Sequence, residues 1–256
     1  MSPHWFGQHE VSPGVIIELE KSRWRVLPPK EHEFPNSGDE DPEWSGSSYA
    51  CIQLRVRQVG SRTRPPAQGY MRIYKQIPTE GTIADPQHIR ARQARNFIPH
   101  ELQALRMLRR KGSTFTPRLL DSLEGKQDDY SLVPGGFVVW VVSEEVPGIR
   151  LGDALGEDTF WSMELSVREK IRASFKENYM KLASWGWVPL YLFGKDLVWD
   201  PDTSTHFFVN WFQPTKIESP HMWEDRFFYS SGLLKPPASP RFTFQHWNGS
   251  VEGWQG

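Results

Sequence analysis

Gly186–Phe212 reads GWVPLYLFGKDLVWDPDTSTHFFVNWF, and the reading of the fold works outward from it. The stretch begins where a helical pattern stops. Val167, Ile171, Phe175, Leu182 and Trp185 recur at helical spacing, and Gly186 is the residue type that closes a helix most easily. At the other end of that helix, Ser166 with Glu169 has the spacing of a capping box. A proline-containing, aromatic loop follows Gly186. Leu197–Trp199 and His206–Val209 then read as strands on either side of the turn DPDTST. Long helix, loop and short hairpin form the second half of the pattern.

Upstream the chain is richer in strands. Residues 14–26 contain two short β-branched runs. The segment 28–48 is dominated by Pro, Gly, Ser and acids, so it has little to bury and reads as a disordered acidic insert. Tyr49–Val59 alternates, with Ala50, Ile52, Leu54 and Val56 on one face and Cys51, Gln53, Arg55 and Arg57 on the other. Tyr70–Ile77 reads as the next strand, and 84–97 as a weak polar helix. Pro99 suits the first turn of a stronger helix, where its missing N–H costs nothing. Leu102, Leu105 and Leu108 form that helix's apolar stripe, and Gly112 suits its stop. Two strands follow, one around Arg118–Leu123 and the other GGFVVWVVSEEV. Strands and helices do not alternate as βαβ units, so an α+β class is expected rather than a doubly wound sheet. The expected division is a β-rich lobe over 1–142 with one main helix, then a reduced, mainly helical lobe over 143–256 with a Pro/aromatic tail.

Composition removes several function classes. Lys+Arg total 30 against 31 Asp+Glu, so no overall field draws in nucleic acid or an anionic membrane. One cysteine, Cys51, excludes an internal disulfide and a multi-Cys zinc site. MSPHWFGQHE lacks the basic-then-apolar order of a signal peptide, and no apolar run reaches membrane-span length, so a cytoplasmic protein is expected. The eight His form no ligand-spaced pair on an expected helix, and there is neither a G-x-S-x-G nor a dinucleotide fingerprint. Twelve Trp, 15 Phe and 7 Tyr fit an aromatic core equally with an aromatic-lined pocket.

The element order, together with HELQALRML, RIYK and the 186–212 stretch, resembles the protein-kinase-like superfamily. The resemblance points to compact members near the aminoglycoside phosphotransferases and fungal kinase-like proteins. It covers about Tyr49–Phe212 and implies a two-lobed fold with a cleft. Such proteins pair a strand Lys with a helix Glu and use an HxDxxxxN-type loop and a D-F-G-type turn. Glu101 falls at the helix Glu, although an ordinary first-turn Glu favoured by the helix dipole serves equally. Either Lys75 or Arg72 falls at the strand Lys; three residues apart, they point to opposite faces. Gly136–Val142 with SEEVPG falls at the hinge strand and linker.

The chemistry departs from the family. Pro189 stands for the loop His, Tyr191 for the base Asp and Asp196 for the Asn, while Asn210-Trp211-Phe212 stands for D-F-G. A phenol titrating near ~10 is no base at neutral pH. Asp196 and Asn210 exchange the usual amide and carboxylate, which leaves one carboxylate for a metal; a turn-capping Asp and a strand-end Asn describe them equally. No glycine-rich phosphate loop occurs in the first half. The stretch 211–256 is short for the helices that dock polypeptides, so a truncated C-terminal lobe is expected. The resemblance thus implies a catalytically degenerate kinase fold with no cofactor and no metal. Its cleft would hold an apolar or polycyclic small molecule, bound by Glu101, Phe193, Asn210, Trp211 and Phe212. Tyr191, Asp196, Lys75 and Arg72 are its candidate catalytic groups, for a cofactor-free, pericyclase-like cyclisation or isomerisation of biosynthetic type. The alternatives are a pseudokinase scaffold for a protein partner, with Phe242, Phe244, Trp247 and Trp254 as contacts, and a divergent small-molecule phosphotransferase.

Overall fold

The computed structural model describes residues 5–29, 39–40, 48–60, 65–153, 155–218, 223–236 and 250–256. Two compact units divide the chain: Met1–Arg106 with Arg118–Glu145, and Met107–Pro117 with Val146–Gly256. The class is α+β, as the element order requires.

The first unit opens with α1 (Gln8–Val11), β1 (Ile16–Glu18), β2 (Arg23–Val26), β3 (Asp39–Glu40), β4 (Ser48–Val59) and β5 (Gln68–Gln76). It continues with α2 (Gln87–Arg90), α3 (His100–Lys111), β6 (Leu119–Lys126) and β7 (Phe137–Glu144). The strands form one antiparallel sheet in the order β1-β2-β4-β5-β7-β6, with β3 paired to the start of β4. Every neighbouring pair is antiparallel, which fits short connections rather than crossover helices.

Each face of this sheet has its own cover. On one, Trp24, Val56, Met71, Ile73 and Val142 form a core onto which Phe6 and Val11 of the N-terminal segment pack. The Trp24 indole N–H is enclosed there without a partner. On the other, Tyr49 stacks on Phe97 at 5.4 Å and Phe97 meets Phe137 at 4.7 Å. Leu102 and Leu105 of α3 are all but fully buried, each contributing about 2 kcal/mol of apolar transfer. With both faces covered, the expected alternation of β4 fails at its start. Ser48, Tyr49, Ala50 and Cys51 are buried in succession, whereas Ile52 and Leu54 are only half-buried.

Other expectations shift for local reasons. The helix expected over 84–97 is only α2 plus a 3-10 turn at Ala91–Gln93. The Gln76 side chain stops it, donating to the Gln93 carbonyl at 2.7 Å and accepting from the Arg95 N–H at 3.1 Å. Pro99 precedes α3 rather than occupying its first turn; its carbonyl accepts the Gln103 N–H at 3.1 Å. Of the acidic insert 28–48, Asp39 and Glu40 form β3. Residues 30–38 and 41–47 lie outside the described residues.

The second unit contains β8 (Ile149–Arg150), α4 (Asp158–Trp161), α5 (Leu165–Ser184), β9 (Trp187–Val188), β10 (Leu197–Asp200), β11 (Thr205–Phe208), β12 (Thr215–Lys216) and α6 (Arg226–Ser230). The expected capping box is not formed. The backbone carbonyl of Glu164 accepts the Val167 and Arg168 N–H groups, so α5 starts at Leu165 and Ser166 falls inside its first turn. Ile171, Phe175, Tyr179 and Leu182 are its buried stripe. Phe175 meets Phe208 at 5.3 Å and His206 at 5.4 Å, docking α5 on the hairpin β10–β11. β8 adds a third strand beside β10, and Gly148 before it has φ +113. A Cβ there would stand 2.4 Å from the Trp199 carbonyl oxygen, so only glycine allows this approach. No helix among the described residues is long and apolar enough to cross a membrane.

Candidate functional site

In the second unit, the loop 189–196 is held at both ends. β9 before it pairs with β12, Val188 opposite Thr215, so the loop and the 210–212 turn lie between two paired strands. Gly194–Asp196 is a 3-10 turn, with the Asp196 N–H donating to the Phe193 carbonyl at 2.8 Å. The Asp196 side chain then acts as a pin. Its Oδ2 accepts the Phe193 N–H at 3.3 Å, its Oδ1 accepts the Asn210 Nδ2–H at 3.1 Å, and its carbonyl accepts the Val209 N–H at 2.9 Å. Asn210 Oδ1 in turn accepts the Phe212 N–H at 3.1 Å. Asp196 and Asn210 are therefore brought together, in a chain of hydrogen bonds that ties loop to turn. Burial raises the Asp196 pKa; Lys195, the Phe193 N–H and Asn210 offset it only in part.

The aromatic residues divide in two. Trp211 is buried in the core, and its indole N–H donates to the Phe208 carbonyl at 3.0 Å. Phe212 is half-buried. Tyr191 and Phe193 stand outward, 46% and 47% exposed, stacked at 6.1 Å with 13° between their planes. Leu190 beside them is 49% exposed. The loop thus presents a small apolar platform whose backbone is fixed from beneath by Asp196.

In the first unit, Arg72 and Glu101 meet. Arg72 Nη1 donates to Glu101 Oε1 at 2.6 Å and Nη2 to Gln53 Oε1 at 2.6 Å. The Tyr74 hydroxyl donates to the other carboxylate oxygen at 2.7 Å. Burial works against the Arg72 charge, but Glu101 outweighs it and holds the guanidinium pKa above its ordinary value. Burial, then Glu101, pushes the Tyr74 phenol well up. Lys75 points the other way and is held by the N-terminal segment. Its Nζ contacts both oxygens of Glu10 at 2.6 and 2.8 Å and lies 4.9 Å over the Phe6 ring.

Sequence reasoning missed three of these partners. Gln53 and Tyr74 were legible in principle, because Gln53 faces Arg72 across β4–β5 and Tyr74 is two residues on along the same face. Glu10 gave no signal, being 65 residues from Lys75. Among the contact residues expected in the tail, Phe242, Phe244 and Trp247 lie outside the described residues, while Trp254 meets Tyr229 edge-on at 5.5 Å.

A kinase-type centre would hold Mg²⁺ between carboxylate and amide oxygens. The residues present do not fit the ion. Asp196 is the one carboxylate of the pair, both its oxygens accept hydrogen bonds from within the unit, and the Asn210 oxygen is likewise engaged. Among the described residues, no three His, Cys, Asp or Glu side chains cluster as metal ligands.

No family model matches the chain, and no curated protein matches it. Among solved structures it is similar to the Cydia pomonella Granulovirus kinase PK-1, at 12% identity and a TM-score of 0.43 over 78% of this chain. The chain spans 58% of that kinase's length.

Proposed function

We propose that this protein is a kinase-like fold that does not transfer phosphate and uses the Leu190–Phe193 platform to hold an apolar small molecule. The carrying observation is the stacked, exposed pair Tyr191 and Phe193 on a loop whose only buried carboxylate is engaged as a pin. The kinase-like part of the reading rests on the element order and on the Arg72–Glu101 pair, a strand cation meeting a helix carboxylate. Apolar contact on a rigid aromatic surface, with one phenol for orientation, is a common way to hold a polycyclic ligand. Any catalysis would consist of holding a reactive conformer for cyclisation or isomerisation, with the Tyr191 hydroxyl as hydrogen-bond donor. Arg72 and Lys75 have no part in that chemistry, since both are committed to carboxylates of their own unit.

The uncharged dye Nile red tests the platform. Saturable binding with a blue-shifted emission is expected, reduced at least about tenfold in affinity when Tyr191→Ser and Phe193→Ser are combined, an apolar loss of order 1–3 kcal/mol. Equal binding by the wild type and the double variant would remove the platform from the function.

A further inference from the structure

Three cations of the second unit, Arg168, Arg172 and Lys235, have no counter-ion among the described residues. Arg168 and Arg172 lie one turn apart on α5, so their side chains share a face, where like charges repel. Lys235 joins them from the segment after α6. The Trp161 indole organises the group: its N–H donates to the Gly232 carbonyl at 3.1 Å, which fixes the ring. The Arg168 guanidinium then lies 5.1 Å from the ring centroid and the Lys235 ammonium 4.1 Å from it. Arg172 reaches the Leu233 carbonyl at only 3.5 Å, and a Cβ built on Gly256 would stand 2.8 Å from its Nη2.

The charge is unanswered. None of these three cations has a carboxylate within ion-pair distance among the described residues. Glu169 attracts Arg172 from a distance, and the Glu157 side chain lies against Gly232, but neither pairs with the cluster. Arg168 Nε is buried with no hydrogen-bond partner among the described residues. A buried guanidinium N–H left unpaired is costly and calls for an acceptor. Burial, then the neighbouring Arg168, lowers the Arg172 pKa, which is how crowded like charges behave.

We propose that Arg168, Arg172 and Lys235 form a binding site for a phosphomonoester dianion. Two guanidinium forks match the several acceptor oxygens of a phosphate. The third cation, exposed Lys235, balances a charge near −2. A monocarboxylate would leave donors unmet. The site belongs to α4, α5 and the 232–235 segment, so it is independent of the Leu190–Phe193 platform.

Isothermal titration of the full chain with inorganic phosphate and with phenyl phosphate tests the assignment. Saturable binding is expected for both, with acetate weaker by about tenfold or more, the worth of one lost charge-assisted hydrogen bond. Arg168→Gln should weaken phosphate by about tenfold while leaving the circular dichroism spectrum unchanged. Arg168→Lys, which keeps the charge and loses the fork, should fall between and serves if the Gln variant does not fold. A phosphate-induced rise in melting temperature that chloride reproduces at equal ionic strength would overturn the proposal. So would undiminished phosphate affinity in both Arg168→Gln and Arg172→Gln.

Discussion

His206 is the residue whose environment is most at odds with its chemistry. It is fully buried between Phe175 and Phe208, and neither ring nitrogen has a hydrogen-bond partner among the described residues. Burial drives its pKa down to about 3, so the folded protein holds it neutral. The unfolded chain takes up the proton near the ordinary value of about 6.5. Stability from the neutral ring is therefore complete above that value and is lost as pH falls from it toward 3. By pH 5 the loss from this residue alone amounts to about 2 kcal/mol. His206→Leu, close in volume, removes both nitrogens. Urea denaturation should show it at least as stable as the wild type at pH 7, and ahead by about 2 kcal/mol more at pH 5. Parallel losses in the two proteins would mean that the ring is not kept neutral. In the sequence this histidine was one of eight scattered ones, with nothing to mark it. Its burial depends on Phe175, 31 positions earlier, which no local pattern reveals.

At the scale of elements, the loop 189–196 and the turn at 210–212 behave as one piece because of Asp196. Removing its carboxylate strands the Asn210 amide and the Phe193 N–H together. Asp196→Ala should cost about 2 kcal/mol in urea denaturation and speed hydrogen exchange at Phe193 and Phe212. Asp196→Asn keeps an acceptor and avoids burying a charge, so it should cost less; an equal cost would discount the pin. The sequence showed the long helix, the hairpin and the glycine stop, because these are set by period and by backbone freedom. It misplaced the start of α5, where the Glu164 backbone rather than the Ser166 hydroxyl caps the helix. It overextended the helix over 84–97, since a side chain from β5 is what arrests it. Periodicity reads local preference, and both errors lie where a backbone or a distant side chain competes with it.

For the whole molecule, the proposed function takes the groups of phosphoryl transfer to be present only as replacements. Those replacements are engaged inside their own units: Arg72 with Glu101 and Gln53, Lys75 with Glu10, Asp196 with Asn210. Incubation with ATP and Mg²⁺ should therefore give no transfer of the γ-phosphate to water or to a small alcohol. Millimolar Mg²⁺ should leave the melting temperature unchanged in the wild type and in Asp196→Ala alike. A Mg²⁺-dependent rise that Asp196→Ala abolishes would restore a metal role to this carboxylate. The α+β class and the sheet-then-helix order were legible in the sequence. What was not legible is which aromatics face outward. Tyr191 and Phe193 do, whereas Trp211, one residue from Asn210, is part of the core. Side-chain direction after a loop depends on the turn that follows it, and that turn is fixed by tertiary hydrogen bonds.

Two of the buried indoles, Trp24 in one unit and Trp211 in the other, differ in one respect that light can detect. Trp211 donates its N–H to a carbonyl, while the Trp24 N–H meets no acceptor. An excited indole shifts its emission to the red only where neighbouring dipoles can respond to it. Of the two, Trp24 should therefore emit further to the blue, and the sheet of the first unit carries its own optical reporter.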